Sequence, residues 1–108
     1  MLQGLYRAEF ETYRGKAIGV VFAKDGKIHG DDSAFAYIGT YQQVGHTING
    51  AITTFRHTNA PKHPALFDVE NAKITLRGFE KDGFATLNET ANGRPSLGLK
   101  IVLMLLCD

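Results

Sequence analysis

The sequence predicts an all-β protein that folds as an eight-stranded antiparallel up-and-down β-barrel. The first observation behind this prediction is that apolar and polar side chains alternate with a period of two in short segments along the chain. The second is that twelve glycines, against three prolines, divide the chain into those segments. No stretch keeps its apolar residues at the spacing of an amphipathic helix. At 108 residues the chain is long enough for one domain and too short for two, so residues 1–108 are expected to form a single domain.

Four strands are predicted in the first half of the chain. Alternation is clear in the first strand, where Tyr6, Ala8 and Phe10 share one side and charged residues occupy the other. Arg14-Gly15 turns the chain into the second strand, and Asp25-Gly26, which readily adopts positive φ angles, provides a tight hairpin into the third. A polar corner then precedes the fourth strand. The predicted strands are Tyr6–Thr12, Ile18–Phe22, Lys27–Gly30 and Ala36–Val44.

Four more strands are predicted in the second half. Turn residues at Gly45-His46, Lys81–Gly83 and Asn92–Pro95 separate them, and Thr58–Asn71 forms the longest loop. The last strand is apolar on both faces near its end, which indicates that both of its faces are covered. These strands are Thr47–His57, Ala72–Glu80, Phe84–Thr90 and Leu97–Leu106.

Eight short antiparallel strands must protect their edges, and a closed barrel or a sandwich achieves this. Because nearly every connection is a hairpin between neighbours in sequence, the barrel is favoured. Eight strands enclose a space that holds either packed side chains or one small ligand. A hollow barrel would make the protein a carrier or sensor of a small apolar ligand. The residues expected to face inward, and to line that cavity, are Tyr6, Phe10, Ile18, Val20, Phe22, Ile38, Ile52, Leu76, Leu99 and Ile101.

Composition and charge exclude several classes of protein. The net charge of +1 lacks the excess of basic residues on which most nucleic-acid binding depends, so nucleic acid is not an expected partner. A single cysteine, Cys107, cannot form an internal disulfide, and the first residues lack the pattern of a secretory signal. The longest apolar run, Ile101–Cys107, is too short for a membrane helix. We therefore expect a cytoplasmic protein that does not act at a membrane.

The sequence contains no recognisable catalytic or metal-binding motif. Its histidines lack the close pairing that zinc sites usually show, and they are expected at turns and strand ends. No nucleophile motif and no glycine-rich phosphate-binding motif occurs, and the carboxylates are scattered singly. We therefore expect no enzyme, no metal and no cofactor. The histidines are His29, His46, His57 and His63.

The last predicted strand carries a second apolar face formed by Val102, Met104 and Leu106. On an isolated barrel this face would be exposed to solvent, which is typical of a dimer interface or a partner surface. The alternative is that the N-terminal residues Met1 and Leu2 cover it.

One segment of the chain, residues 26–41, follows a known family pattern. Its glycine, aspartate and Tyr-x-Gly-x-Tyr residues resemble the motif of the GrlR family, negative regulators of type III secretion in bacteria. The flanking Gly4–Tyr6, Asp25-Gly26 and Pro64–Phe67 agree with the same pattern. Asp32 is suited to capping the turn, and Gly39 leaves room for the close approach of a backbone or a ring, with Tyr37 and Tyr41 on either side of that gap on the same strand face. The residues that carry the motif are Gly30, Asp32, Tyr37, Gly39 and Tyr41.

The resemblance implies a calycin-like or lipocalin-like barrel that forms a homodimer and has an apolar interior able to accept a lipid-like molecule. It also implies repression through binding to a transcription regulator. The family's acidic Glu-Asp-Glu-Asp loop, which is implicated in that contact, is replaced here by Gln43–His46. Because these residues carry no negative charge, the chain lacks that route to a basic partner surface. The leading expectation is a non-enzymatic regulator that binds proteins, and the alternative is the small-ligand carrier.

Overall fold

The barrel predicted from the sequence is confirmed in a computed structural model of the chain, which describes residues 2–32, 34–58, 73–90 and 98–108. Each strand pairs antiparallel with the next, and the last strand pairs with the first to close the barrel. The described residues contain no helix that is long and apolar enough to cross a membrane. The strands are β1 (Gly4–Thr12), β2 (Gly15–Lys24), β3 (Lys27–Asp31), β4 (Phe35–Val44), β5 (Thr47–Arg56), β6 (Lys73–Lys81), β7 (Phe84–Glu89) and β8 (Lys100–Cys107).

Several predicted features fall outside the described residues. They are the loop Thr58–Asn71 beyond its first residue, the turn Asn92–Pro95, and the predicted start of the last strand at Leu97. His63 and the family-like segment Pro64–Phe67 lie there as well, as does Met1.

Two of the hairpins form for the reason that the sequence suggests. Asp25 and Gly26 between β2 and β3 have φ angles of 52° and 80°, and Asp82 and Gly83 between β6 and β7 have φ angles of 53° and 82°. Two successive residues with positive φ are the requirement of a two-residue turn whose twist matches that of the flanking strands. These hairpins set the register at one end of the barrel, which we call the hairpin end.

Within the described residues, inward side chains pack closely inside the barrel. Phe10 and Tyr37 stack there with their ring centroids 4.4 Å apart. The described side chains around these rings leave a cavity of about 20 Å³ between them, which is room for about one water molecule. Six residues of the predicted inward set are buried in this core: Tyr6, Phe10, Ile52, Leu76, Leu99 and Ile101.

The prediction that Ile18, Val20 and Phe22 face inward is wrong, because all three lie on the outer surface of β2. The inward positions of β2 are instead held by small or modest side chains at Ala17, Gly19, Val21 and Ala23. A Cβ atom at Gly19 would lie 2.0 Å from the carbonyl oxygen of Asp31, so the backbone approaches too closely there for a larger residue. The larger side chains of this strand therefore occupy the face that is open to solvent.

The inward assignment of Ile38 on β4 is also wrong, since its side chain is 48% exposed. Successive residues of a strand point to opposite faces, and its neighbours Tyr37 and Gly39 take the inward one. Tyr37 is held inside by a hydrogen bond from its hydroxyl to Asp32.

Candidate functional site

The aspartate of the family-like motif caps the loop between β3 and β4. Its Oδ1 accepts hydrogen bonds from the backbone N–H groups of Ala34 and Phe35, at 2.8 and 2.7 Å. Its Oδ2 accepts the hydroxyl hydrogen of Tyr37, and burial together with this hydrogen bond raises the pKa of Tyr37 above its usual range. A ring nitrogen of His57 lies 3.0 Å from the backbone oxygen of Asp32. With both of its carboxylate oxygens bonded within the fold, Asp32 stabilises the loop rather than offering a reactive group.

The remaining motif residues hold neighbouring strands close together. A Cβ at Gly39 would lie 2.1 Å from the carbonyl oxygen of Ala51 on β5, and a Cβ at Gly30 would lie 2.4 Å from that of Val20 on β2. The hydroxyl of Tyr41 donates to the backbone carbonyl of Leu2 at 2.5 Å. The contacts of the motif residues therefore stabilise the barrel.

Gln43, which stands where the family has its acidic loop, has a structural role at the hairpin end. Its Oε1 accepts the backbone N–H of Leu2 at 2.6 Å, and its Nε2 donates to Glu80 Oε1 at 2.7 Å. The same Nε2 donates to the carbonyl of Gly45 at 3.0 Å. Leu2 itself is fully buried against this end of the barrel. Gln43 thus ties the N-terminal segment to β4 and β6.

The outward residues of β2 and β4 form an apolar patch, which we call the β2 patch and define as Ile18, Val20, Phe22 and Ile38. Phe22 lies opposite His29 on β3, and His29 lies opposite Ile38, so the patch continues across three strands. Its side chains are between 42% and 58% exposed. Adjoining exposed apolar side chains of this kind mark contact sites more often than apolar residues that are scattered singly over a surface.

A second apolar patch covers the outer surface of β6, β7 and β8. It contains the three residues predicted from the sequence as a dimer or partner surface. Of these, Leu106 is exposed, whereas Val102 and Met104 are half-buried. Phe84 lies directly opposite Met104, and Thr86 lies opposite both Phe79 and Val102. We call this surface the β8 patch; its members are Phe79, Phe84, Val102, Met104 and Leu106.

Charged side chains on β1 separate the two patches. Arg7 lies opposite Val20 on one side and Met104 on the other, and it forms an ion pair with Glu9 at 3.2 Å. Glu9 in turn lies between Ile18 and Val102. Arg7 and Glu9 therefore stand between the two patches along most of β1, whereas at the hairpin end the apolar Leu5 lies opposite Phe22 and Cys107.

The described residues show no metal centre. His29 lies on β3, whereas His46 and His57 lie just beyond the opposite ends of β5. Within the described ranges no three His, Cys, Asp or Glu side chains come together as metal ligands would. His46 instead bonds through Nδ1 to the backbone oxygen of Glu80 at 2.8 Å.

No protein-family model and no curated protein matches this chain.

The β2 patch was not predicted, because the large apolar residues Ile18, Val20 and Phe22 were expected to face the interior. A usable signal was present, since Ile18, Val20 and Phe22 alternate with the small residues Ala17 and Gly19. Small residues on one face of a strand indicate close packing on that face and leave the large side chains outside.

Proposed function

We propose that this chain is a non-enzymatic bacterial β-barrel protein that acts in the cytoplasm by binding other proteins. In this proposal it forms a homodimer and binds a transcription regulator, thereby lowering the expression of type III secretion genes. The observation that supports protein binding most directly is the pair of apolar patches on the outside of a barrel whose interior is filled. The regulatory role is supported by the motif at Gly30, Asp32, Tyr37, Gly39 and Tyr41.

The β8 patch is the surface that we assign to the homodimer. Its aromatic pair Phe79 and Phe84 is 53% and 57% exposed, and large exposed aromatic residues are enriched at protein interfaces. In a dimer with two-fold symmetry the same patch meets its own copy, so the apolar side chains around Thr86 would cover one another.

The carrier alternative finds no support in the shape of the barrel. Pockets for small organic ligands occupy about 300–1,000 Å³. The interior cavity of about 20 Å³ is far smaller than this.

The proposal is tested with variants of the β8 patch. Phe84→Asp combined with Met104→Asp buries two charges in the proposed interface and should convert a dimer into a monomer of 11.8 kDa, as measured by light scattering after gel filtration. Asn88→Asp, at an exposed position on the same strand β7, is the matched control and should leave the dimer intact. Circular dichroism verifies that every variant remains folded.

The regulatory part is tested in bacteria that carry a type III secretion promoter fused to a reporter gene. Expression of the unaltered chain should lower reporter activity, and the dimer variant should lower it less. Unchanged reporter activity in the presence of folded, dimeric protein would contradict the regulatory role. A monomeric wild-type protein would contradict the dimer.

A further inference from the structure

Two lysines face each other across the β2–β3 hairpin. Lys24 lies directly opposite Lys27 in the register, and both are exposed on the outer surface. Like charges directly opposite each other in a strand pair are unfavourable. Neither lysine forms an ion pair with any other residue in the described part of the chain. This arrangement does not help the hairpin fold, and it concentrates positive charge on one small surface.

The two lysines line an open depression of about 350 Å³ together with Phe22, Asp25 and His29. Two lysines against one aspartate leave the depression positively charged. Its volume is within the range of sites that accept a ligand or a side chain. A carboxylate entering it would be close to two ammonium groups, which provide charge-assisted hydrogen bonds.

The depression is continuous with the β2 patch, because Phe22 belongs to both. Outward residues along β2 run from Ile18 through Val20 and Phe22 to Lys24, a length of about 20 Å at the usual rise of a strand. At the far end the charges are mixed. Glu9 lies opposite Ile18 and Asp31 lies opposite Val20, but Arg7 also lies opposite Val20, and Lys16 is exposed on the same face of β2. The surface is therefore apolar along its length and carries a basic cluster at the hairpin end.

We propose that this surface, the β2 patch with Lys24 and Lys27, binds a segment of the partner protein that carries large apolar side chains and ends in carboxylates. The apolar side chains cover Ile18, Val20 and Phe22, and the carboxylates lie in the depression beside the two lysines. The inference rests on the proposed function and names the chemistry of the protein partner. The proposed contact surface of this chain is basic. In the GrlR family, which the chain resembles, an acidic loop is implicated in the contact with the partner.

The test uses a phage-displayed library of random peptides selected on the purified protein. Selected peptides should carry net negative charge next to large apolar residues. In a fluorescence polarisation assay, Lys24→Glu combined with Lys27→Glu should weaken their binding by at least about tenfold, as should Phe22→Asp. Lys73→Glu, which removes an exposed lysine on the outer face of β6, is the matched control and should bind normally. Added salt should weaken binding to the wild type.

Several outcomes would overturn the inference. The first is that the selected peptides lack acidic residues, and the second is that the Lys24→Glu, Lys27→Glu variant binds them as tightly as the wild type does. The third is that the wild type enriches the same peptides no more than the Phe22→Asp protein does. Conversion of a dimer into a monomer by Phe22→Asp would also overturn it, because the occupant would then be a second copy of this chain.

The reporter assay separates this inference from the proposed function. Repression by the wild type that persists in the Lys24→Glu, Lys27→Glu variant would contradict the binding surface and leave the regulatory role in place. Acidic peptides that bind at the lysines without any repression by the wild type would support the surface and contradict the regulatory role.

Discussion

At the scale of single residues, the buried Asp32 determines how the chain turns from β3 into β4. The carboxylate has three donors: two backbone N–H groups of its own loop and the hydroxyl of Tyr37. A buried carboxylate is costly unless it is fully hydrogen-bonded. Tyr37 of the family-like motif therefore provides one of the hydrogen bonds that make the burial of Asp32 possible. This pairing gives a physical reason why both residues occur in one short segment.

Tyr37→Phe removes one donor from this carboxylate while it leaves the ring in place against Phe10. We expect the free energy of unfolding to fall by about 1.5–3 kcal/mol, the usual contribution of a hydrogen bond to a charged group. Urea denaturation measures this loss. Tyr6→Phe is the graded control. The Tyr6 hydroxyl accepts an uncharged backbone N–H from exposed Gln3 at 3.1 Å, and the loss of this bond should cost less than the loss of a bond to a carboxylate.

The pH dependence of the same variant tests the environment of the Tyr37 hydroxyl, which is buried and bonded to Asp32. The folded state raises the pKa of Tyr37, mainly through burial, above the ordinary value of 10.0 that the unfolded chain retains. The stabilising contribution is therefore fully present below pH 10 and decreases as the pH rises above it. The difference in stability between the wild type and Tyr37→Phe should become smaller in that range. A difference that stays constant between pH 8 and pH 11 would contradict this account of Tyr37.

At the scale of strands, most of the fold could be predicted because the alternation and the turn dipeptides are local signals. Asp25-Gly26 and Lys81–Gly83 fixed two hairpins, and the strand order followed from short connections. The face of β2 could not be predicted in the same way. Its inward residues are small because the backbones of β2 and β3 come close at Gly19, and this distance is a tertiary property that hydropathy does not report.

Close approach of strands also makes Gly39 on β4 intolerant of a side chain. Gly39→Ala places a methyl group 2.1 Å from the carbonyl oxygen of Ala51, so β4 and β5 must move apart. We expect a loss of about 1–3 kcal/mol in the free energy of unfolding, the usual cost of overpacking. Thr40→Ala, at the next position on the exposed outer face, should cost less than about 1 kcal/mol. Equal urea midpoints for the two variants would contradict the close approach.

At the scale of the whole molecule, the candidate surfaces depend on how the closed barrel divides its apolar residues. Closing the sheet removes the edges through which strands could pair with other chains. Contact with other proteins can then use the outer side-chain face, on which Arg7 and Glu9 of β1 stand between the two patches. The sequence predicted part of the β8 patch, because a strand that is apolar on both faces can be recognised from its own residues without knowledge of its neighbours. The β2 patch joins residues of β2 and β4 through His29 on β3, and only the register brings them together.

A filled barrel also predicts what should not bind to this protein. Because the interior cavity is about 20 Å³, a native mass spectrum of the purified protein should show the dimer without a small-molecule adduct. Leu76→Ala serves as the positive control: it opens an apolar space of the kind that admits benzene, and benzene should then raise the melting temperature of this variant. Benzene should leave the wild type unchanged. A stoichiometric adduct that disappears on denaturation of the wild type would contradict the filled interior and favour the carrier, whereas a spectrum without an adduct would agree with the small cavity between the described inward side chains.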